Sequence, residues 1–298
     1  MTKSRRLAYL ALSLNALIWG SAFPIIKPAL DIISPLEYLY FRFLLAGLLA
    51  VPLFLYFYII IQPKASYLLK VLLIELFGTA LPLYILYEGL SRTSALEASL
   101  IGSIGPIFIV LGGVLFLRER QTKKEWQGLA ISLLGSLVLV SEPLFNGHTL
   151  FGSSLFGNLY VLGYSLLYTI YVLIAKKFYK SKPPLYIGSL TYLGTALVYG
   201  IILSNSGTLP SLKILYSDAT ILFPVLYMAI PGGIIAFALY LYAASKIEVS
   251  EANLFTYLQG VVSIPATFFI LGEIPSWITL LGITIIAIGV FRAENKSN

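Results

Sequence analysis

The sequence predicts an all-α integral membrane protein in which ten transmembrane helices form two inverted five-helix repeats around a central cavity. The prediction depends on the composition, on ten apolar stretches long enough to cross a bilayer, and on features of the first half that return in the second. Hydrophobic residues make up 58% of the 298 residues and charged residues 11%, whereas soluble domains have roughly 45–50% and 25%. Because a soluble chain could not bury this much apolar surface, lipid is the expected solvent.

Ten apolar stretches are separated by proline, glycine and clusters of charge, and a helix needs about twenty residues to cross a bilayer. These predicted spans occupy residues 7–27, 35–61, 68–91, 97–117, 125–141, 155–177, 184–204, 218–245, 249–271 and 276–292.

Lysine and arginine are distributed unequally between the two sides of the predicted bundle. With the N-terminus inside, sixteen of these residues fall in inner segments and three, Lys27, Arg92 and Lys213, in outer ones. An excess of positive charge marks the cytoplasmic side. The sequence therefore predicts a multi-pass protein of the cytoplasmic membrane with both termini in the cytoplasm, and the net charge of +7 needs no nucleic acid to explain it.

The two halves repeat the same order of features. Residues 97–121 and 251–275 each begin with Glu-Ala, continue with an apolar run, and carry a second glutamate after it. An offset of 154 residues separates Glu97 from Glu251, Glu119 from Glu273, Gly78 from Gly232 and Gly128 from Gly282. Each predicted repeat, 7–141 and 155–292, has five spans. Because five is odd, the second repeat enters the membrane in the opposite orientation, as in many secondary transporters.

Helix-breaking residues fall near the middle of the third, fourth, eighth and ninth spans. The candidate hinges are Pro106, Pro231, Gly232 and Gly260. Irregular backbone at this depth is tolerated only where protein or a water-filled cavity covers it. One interpretation places these spans around a central cavity, and the other is that the glycines allow close packing of helices.

The order of these motifs resembles the EamA-type branch of the drug/metabolite transporter superfamily over roughly residues 7–292. In the first half, the resemblance depends on Trp19-Gly20 with Lys27, Arg42 in YFRFLLAG, Pro106, LFLRER at 115–120 and the pair Gly128/Gly135. In the second half it depends on LGE at 271–273, Gly282 and Gly289. Two positions depart from the family: Tyr168 stands where tryptophan is frequent, and Gly260 matches Pro106. The family implies ten helices around a substrate cavity and a small organic substrate such as an amino acid, often exported.

The motifs of other function classes are missing from the sequence. With no cysteine and one histidine, His148, it cannot form a thiolate or histidine-cluster metal site, and no cofactor is expected. The P-loop motif GxxxxGK[ST], the zinc-protease motif HExxH and the nucleophile-elbow motif GxSxG are absent.

A secondary transporter working by alternating access, an exporter or exchanger, is therefore predicted. The alternative is an intramembrane enzyme or a lipid-handling membrane protein. The expected partners are a small-molecule substrate and the bilayer, without an obligatory protein partner.

Polar and aromatic side chains at similar depth are the candidates for substrate binding. Four tyrosines of the sixth span, including Tyr164 and Tyr168, recur at helical spacing, which favours a partly apolar or aromatic ligand, although ordinary core packing explains them equally well. Short hydroxyls in a helix can also bond their own backbone. The predicted substrate-binding residues are Trp19, Tyr84, Ser99, Ser103, Tyr164, Tyr168, Tyr257 and Gln259.

Charged residues inside spans are costly and need a partner or a function. Arg42 and Glu88 lie at similar depth towards the outer ends of the second and third spans, which predicts that they pair, and Lys27 belongs to the same outer layer. The pair would serve either as a structural ion pair or as a gate. Glu75 is interpreted either as a proton-coupling carboxylate or as a side chain turned towards cytoplasmic water.

Overall fold

The computed structural model describes residues 3–102, 105, 107–108, 112, 123–140, 153–179, 183–244, 246 and 249–294. Over these residues the chain forms fourteen α-helices and two π-helical segments, and it contains no strand. The α-helices are α1 (Lys3–Gly20), α2 (Ala22–Leu30), α3 (Pro35–Ile61), α4 (Ala65–Glu75), α5 (Leu81–Arg92), α6 (Ala95–Gly102), α7 (Lys123–Val140), α8 (Ser153–Phe178), α9 (Pro184–Asn205), α10 (Leu212–Ser217), α11 (Ala219–Ala229), α12 (Ala236–Ala244), α13 (Val249–Leu271) and α14 (Trp277–Glu294). The π-helical segments are π1 (Leu76–Ala80) and π2 (Ile230–Ile235).

Six helical rods within the described residues are long and apolar enough to cross a membrane. They run over Ser4–Leu30, Pro35–Ile61, Ala65–Arg92, Leu155–Ala175, Leu185–Asn205 and Ala219–Tyr240. They coincide with the first, second, third, sixth, seventh and eighth predicted spans. Shorter apolar helices, Leu258–Leu271 and Trp277–Gly289, lie in the ninth and tenth. The all-helical architecture and these rods confirm an integral membrane protein, because helices satisfy their own backbone groups in lipid.

The π-helical segments interrupt the third and eighth spans at equivalent positions. Leu76 and Ile230, at which they begin, are separated by the same 154 residues as the repeat. Each segment contains one glycine of the pair related by the 154-residue offset, Gly78 in π1 and Gly232 in π2. A π-helical turn leaves backbone groups out of the regular ladder and is frequent at functional sites.

Side chains of α1 bond the backbone carbonyls at the second π-helical segment. Trp19 donates from Nε1 to the carbonyl of Gly232 at 2.7 Å. Asn15 donates from Nδ2 to the carbonyl of Ala236, also at 2.7 Å. These bonds join α1 to the eighth span and satisfy groups that lipid could not.

The two halves cross closely between α7 and α14, where glycines allow the backbones to approach. A Cβ added to Gly135 would lie 2.8 Å from the carbonyl oxygen of Gly282, and one added to Gly289 would lie 2.7 Å from that of Gly128. Midway between these contacts, Ser132 donates from Oγ to the carbonyl of Ile286 at 3.4 Å. The pairing runs in opposite directions along the two helices, so they are antiparallel.

The helix pairs that pack together are related by exchanging the first half of the sequence for the second. In the structure α3 packs along α9, α5 along α8, and α1 along α12. The helix α6 packs against α8 and α13, and α1 packs against α13 as well. Exchanging first-half spans for their second-half equivalents converts the α5–α8 pair into the α1–α12 pair and the α6–α8 pair into the α1–α13 pair, and it maps the α3–α9 and α6–α13 pairs onto themselves. The interior of the bundle is therefore built from both halves.

Candidate functional site

The tyrosines of α8 form a stacked row on the inner side of that helix. The ring centroids of Tyr164 and Tyr168 are 5.6 Å apart, and those of Tyr168 and Tyr171 are 5.8 Å apart. The helical spacing in the sequence predicted this shared face. Leu166 and Ile170, which point away from the row, are 47% and 50% exposed, as expected of lipid-facing residues.

Tyr168 reveals an accessible space inside the bundle. It lies two residues from both Leu166 and Ile170, and side chains two residues apart on a helix point in nearly opposite directions. Tyr168 therefore faces the interior, yet 38% of its side chain is exposed. An exposed tyrosine on the protein-facing side of a spanning helix indicates an internal space.

The helix α6 and its continuation border the same space. Gly105 lies seven residues from Ala98 and from Gly112, and hence on their face of the helix. Both of those residues are buried, and Gly112 approaches Thr169 of α8. A Cβ added to Gly105 would nevertheless meet none of the described atoms within 4 Å. The described residues therefore leave Gly105 uncovered at this level.

Trp19 and Gln259 belong to the wall opposite α8. The Trp19 and Tyr240 ring centroids are 6.5 Å apart. Gly20, next to Trp19, packs so closely on α13 that an added Cβ would lie 2.7 Å from the carbonyl oxygen of Gln259. The structure therefore brings Trp19, Tyr240 and the Gln259 backbone to one region. Sequence reasoning missed Tyr240, which no spacing distinguishes from the other tyrosines.

The remaining candidates are placed as follows. Ser99 is half-buried on α6, the buried Gly260 lies on α13, and Pro231 and Gly232 lie in π2. Ser103, Pro106 and the Tyr257 side chain lie outside the described residues.

Arg42 lies on α3 and points towards α5. Its Nη1 donates to the hydroxyl of Tyr87 at 2.8 Å. The guanidinium carbon is 5.0 Å from the centroid of the Phe43 ring and 6.0 Å from that of Tyr87. Tyr87, to which Arg42 donates, lies on α5, and α5 packs along α8, the helix that carries the tyrosine row.

The predicted Arg42–Glu88 pair is wrong. Glu88 forms an ion pair with Arg92, one turn further along α5, while Arg42 bonds Tyr87. Tyr84 lies beside Glu88, also on α5, and therefore belongs to this outer group. The signal for the correct partner was present in the sequence, since glutamate followed four residues later by arginine is a favourable helical pair.

Among the described residues, Lys27 forms no ion pair with a carboxylate; it caps the end of α5 instead. Its Nζ donates to the carbonyl oxygens of Leu90 at 2.6 Å, Ser91 at 3.1 Å and Thr93 at 2.8 Å. A cation is favourable at this position because the last carbonyls of a helix carry partial negative charge.

Glu273 ties the end of the ninth span to the start of the fourth. The helix α13 ends before Gly272, whose φ of +70° suits glycine and turns the chain. The Glu273 carboxylate that follows accepts hydrogen bonds from the backbone N–H of Ala95 at 3.1 Å and of Leu96 at 2.8 Å. These are unpaired donors of the first turn of α6. The two halves are thereby joined at this end of the internal space.

Glu75 is buried, with 0% of its surface exposed, so the interpretation that it faces cytoplasmic water is wrong. Three hydroxyls donate to its carboxylate: Thr79 at 2.6 Å, Tyr171 at 3.0 Å and Tyr179 at 2.7 Å. The close approach of Tyr171 depends on Gly78, because a Cβ there would lie 1.8 Å from Tyr171 Cδ2. This Glu75 cage (Thr79, Tyr171 and Tyr179 around the carboxylate) lies beside π1 and satisfies the charge with neutral donors.

A bundle of spanning helices that encloses an accessible space, with a cation and stacked aromatic rings beside it, is typical of a membrane transport protein. The comparisons agree with this class. The model of the EamA-like transporter family matches residues 6–141 and again residues 155–293. The chain therefore belongs to the EamA-like transporter family, and it is a membrane transporter rather than an enzyme.

Relatives match along nearly the whole chain. An uncharacterized transporter of Archaeoglobus fulgidus is 27% identical over 290 residues, which cover 97% of this chain and 99% of the relative. A probable terminal-alkyne amino-acid exporter of Streptantibioticus cattleyicolor is 24% identical over 96% of this chain and 93% of its own. A solved crystal structure that is 17% identical superimposes with a TM-score of 0.64 over 95% of both chains, which shows a common fold.

Proposed function

We propose that this protein is a secondary transporter that moves a small organic metabolite, an amino acid or a similar compound, across the cytoplasmic membrane by alternating access, as an exporter or exchanger. The observation that carries the proposal is the exposure of Tyr168 on the inner face of α8. Tyrosine and tryptophan rings beside this space suit a partly apolar or aromatic substrate. A relative with the printed name of an amino-acid exporter supports the substrate class.

The crossing of α7 and α14 supports the proposed ten-helix inverted repeat, with repeats at 7–141 and 155–292. Under the 154-residue offset, the contact of Gly135 with Gly282 becomes that of Gly289 with Gly128. The bond from Ser132 to Ile286 joins positions 154 residues apart and marks a two-fold axis between them. Because α7 and α14 are antiparallel, this axis runs perpendicular to both, and hence in the plane of the membrane if they span it. An axis in that plane relates inverted repeats.

The link from Glu273 to α6 supports alternating access. In the proposed orientation, with both termini in the cytoplasm, Ala95, Leu96 and Glu273 lie on the outer side. Their contact closes the outer end between the fourth and ninth spans. A transporter with two equivalent halves can break this outer contact and form the corresponding contact on the inner side.

A matched pair of glycine substitutions tests the internal space. Gly105 and Gly163 both lack described atoms within 4 Å of an added Cβ. Gly163, however, lies four residues after Leu159 and three before Leu166, on the lipid-facing side of α8. We expect Gly105→Phe to insert and melt normally but to lose efflux of a radiolabelled amino-acid mixture from proteoliposomes. Gly163→Phe should keep that efflux.

Two outcomes would contradict the proposal. Efflux from wild-type vesicles no faster than from protein-free vesicles would argue against transport of this substrate class. A Gly105→Phe protein that melts far earlier would show that the space is closed, because overpacking a filled core is destabilising.

Single cysteines at Gln62 and Ser206 in this cysteine-free chain test the orientation. The cysteine at position 62 should be labelled from the cytoplasm and the one at position 206 from outside.

A further inference from the structure

The charged side chains within the described spans differ in how many hydrogen bonds and ion pairs they form. Lys27 donates to three carbonyls, and Glu75 accepts from three hydroxyls. Glu88 is paired with Arg92. Arg42, in contrast, makes one hydrogen bond within the described part of the chain, to the Tyr87 hydroxyl. A guanidinium has five N–H donors, so most of its hydrogen-bonding capacity is unused.

The surroundings of Arg42 hold no described carboxylate that could neutralise it. The groups that act on its charge are the hydroxyls of Tyr87, Tyr38, Tyr192 and Tyr199. Two of these hydroxyls donate their protons elsewhere: Tyr38 to the carbonyl of Pro224 at 2.8 Å and Tyr199 to that of Ala80 at 2.7 Å. The cation is therefore surrounded by fixed neutral groups.

The acidic residues outside the described side chains lie near the ends of predicted spans in the sequence. Glu119, Glu125, Glu142, Glu248 and Glu294 are at or beyond the end of a span, and Glu251 is the third residue of one. An uncompensated cation among spanning helices is costly, and such residues mark substrate pathways or bind the counter-charge of a ligand.

Arg42 is also within reach of the internal space. Part of its side chain is exposed, although its neighbours Phe41 and Phe43 are buried. Its partner Tyr87 lies on α5, which packs along α8, and on α8 the ring of Tyr164 stacks on the exposed Tyr168. A ligand in the space beside Tyr168 could thus place a charged end against Arg42 and an apolar end against the tyrosines.

We infer that Arg42 binds the carboxylate of the transported compound, while Tyr164 and Tyr168 contact its apolar part. The inference rests on the proposed function and names the chemical class of its substrate, a monocarboxylate with an apolar or aromatic portion. Guanidinium and carboxylate form two parallel charge-assisted bonds. One carboxylate also neutralises one arginine, whereas a phosphate dianion would leave an unpaired negative charge in a low-dielectric site.

The test compares ligands that differ only at the carboxyl group. The probes are 3-phenylpropanoate and L-phenylalanine, each with its uncharged-carboxyl counterpart, 3-phenylpropanamide and L-phenylalaninamide. We expect the carboxylates to raise the melting temperature of the wild-type protein in detergent by a few degrees at saturation, because a ligand that binds the folded state stabilises it. The amides should produce no shift.

Substitutions at Arg42 identify the residue responsible. Arg42→Gln should weaken carboxylate binding at least about tenfold, and Arg42→Lys should weaken it less, since lysine keeps the charge but loses the planar fork. Arg292→Gln is the matched control: Arg292 is exposed at the end of α14, where it bonds Gln127, and the control should bind like the wild type.

Equal binding of carboxylates and amides, no binding of either carboxylate, or unchanged binding to Arg42→Gln would each overturn the inference. If Arg42→Gln does not fold, the ligand comparison on the wild type and on Arg42→Lys decides. These failures are separate from failure of the proposed function: if the labelled amino-acid mixture is still transported, the protein is a transporter whose substrate is held by other residues.

Discussion

Arg42 and Glu75 are both charged side chains among spanning helices, but they are satisfied in opposite ways. Glu75 is fully buried, and three hydroxyls from two different spans donate to it. Part of the Arg42 side chain is accessible, and one of its N–H groups donates to the Tyr87 hydroxyl. Both charges are costly in lipid, so the difference indicates different roles. Glu75 holds helices together, whereas Arg42 has the unused donors that a ligand needs.

The two π-helical segments are likewise held by different kinds of side-chain contact. The position of Glu75 corresponds to Ala229 in the second half, directly before π2. In the first half the segment is held from α8 through Tyr171 and Glu75, and in the second half it is held from α1 through Trp19 and the Gly232 carbonyl. The two segments share the irregular backbone but not the side chains that secure it.

The largest expected effect is on stability, from Glu75→Ala. The substitution removes the acceptor of three part-buried hydroxyls and leaves a cavity at a fully buried position, so the free energy of unfolding should fall by about 3 kcal/mol. Glu88→Ala is the matched control and should cost less than about 1 kcal/mol, because its ion pair is partly exposed. Denaturation of both variants in detergent gives the comparison. Equal losses would mean that the Glu75 cage does not hold the helices together.

The next effect is from Gly78→Ala, which pushes Tyr171 away from Glu75. Because the new Cβ would overlap the ring, we expect a loss of about 2–3 kcal/mol. Gly232→Ala at the equivalent position meets the flexible Met228 side chain at 2.7 Å and should cost clearly less. Melting temperatures of the two variants test this order, and the reverse order would show that π1 is not held by Tyr171.

A smaller effect is expected from Tyr179→Phe, which removes one hydroxyl from the Glu75 cage. A hydrogen bond to a charged acceptor contributes about 1.5–3 kcal/mol, and the two remaining hydroxyls should hold the loss to the lower end of that range. Tyr56→Phe on the exposed surface of α3 is the control and should leave the melting temperature unchanged. An unchanged melting temperature for Tyr179→Phe would mean that only Thr79 and Tyr171 stabilise Glu75.

The smallest effect on stability is expected from Arg42→Gln. The substitution removes one bond and two ring contacts but also relieves an uncompensated charge, so the unfolding free energy should change by less than about 1 kcal/mol in either direction. Glu75→Gln, the same kind of neutralisation, should cost more. If Arg42→Gln were the more destabilising of the two, the assignment of a binding role to Arg42 and a structural role to Glu75 would be reversed.

The sequence predicted much of the architecture because the relevant signals are local. Apolar length predicted membrane spans, of which six are confirmed as long apolar helices in the described parts of the chain. Breaking residues in the third and eighth spans marked where the α-helical ladder changes to π-helix. The order of short motifs indicated the EamA-like family, which the family match confirms.

The partners of charged side chains were decided by the tertiary structure. Depth alone suggested that Arg42 would meet Glu88, but the rotation of α3 and α5 turns Arg42 to Tyr87 and leaves Glu88 with Arg92. Glu75 likewise receives hydroxyls from positions about a hundred residues away. A hydropathy pattern fixes how deep a residue lies, because depth follows from the rise along one helix. Which side chain it touches depends on how the neighbouring helices are rotated and packed, and only the folded bundle determines that.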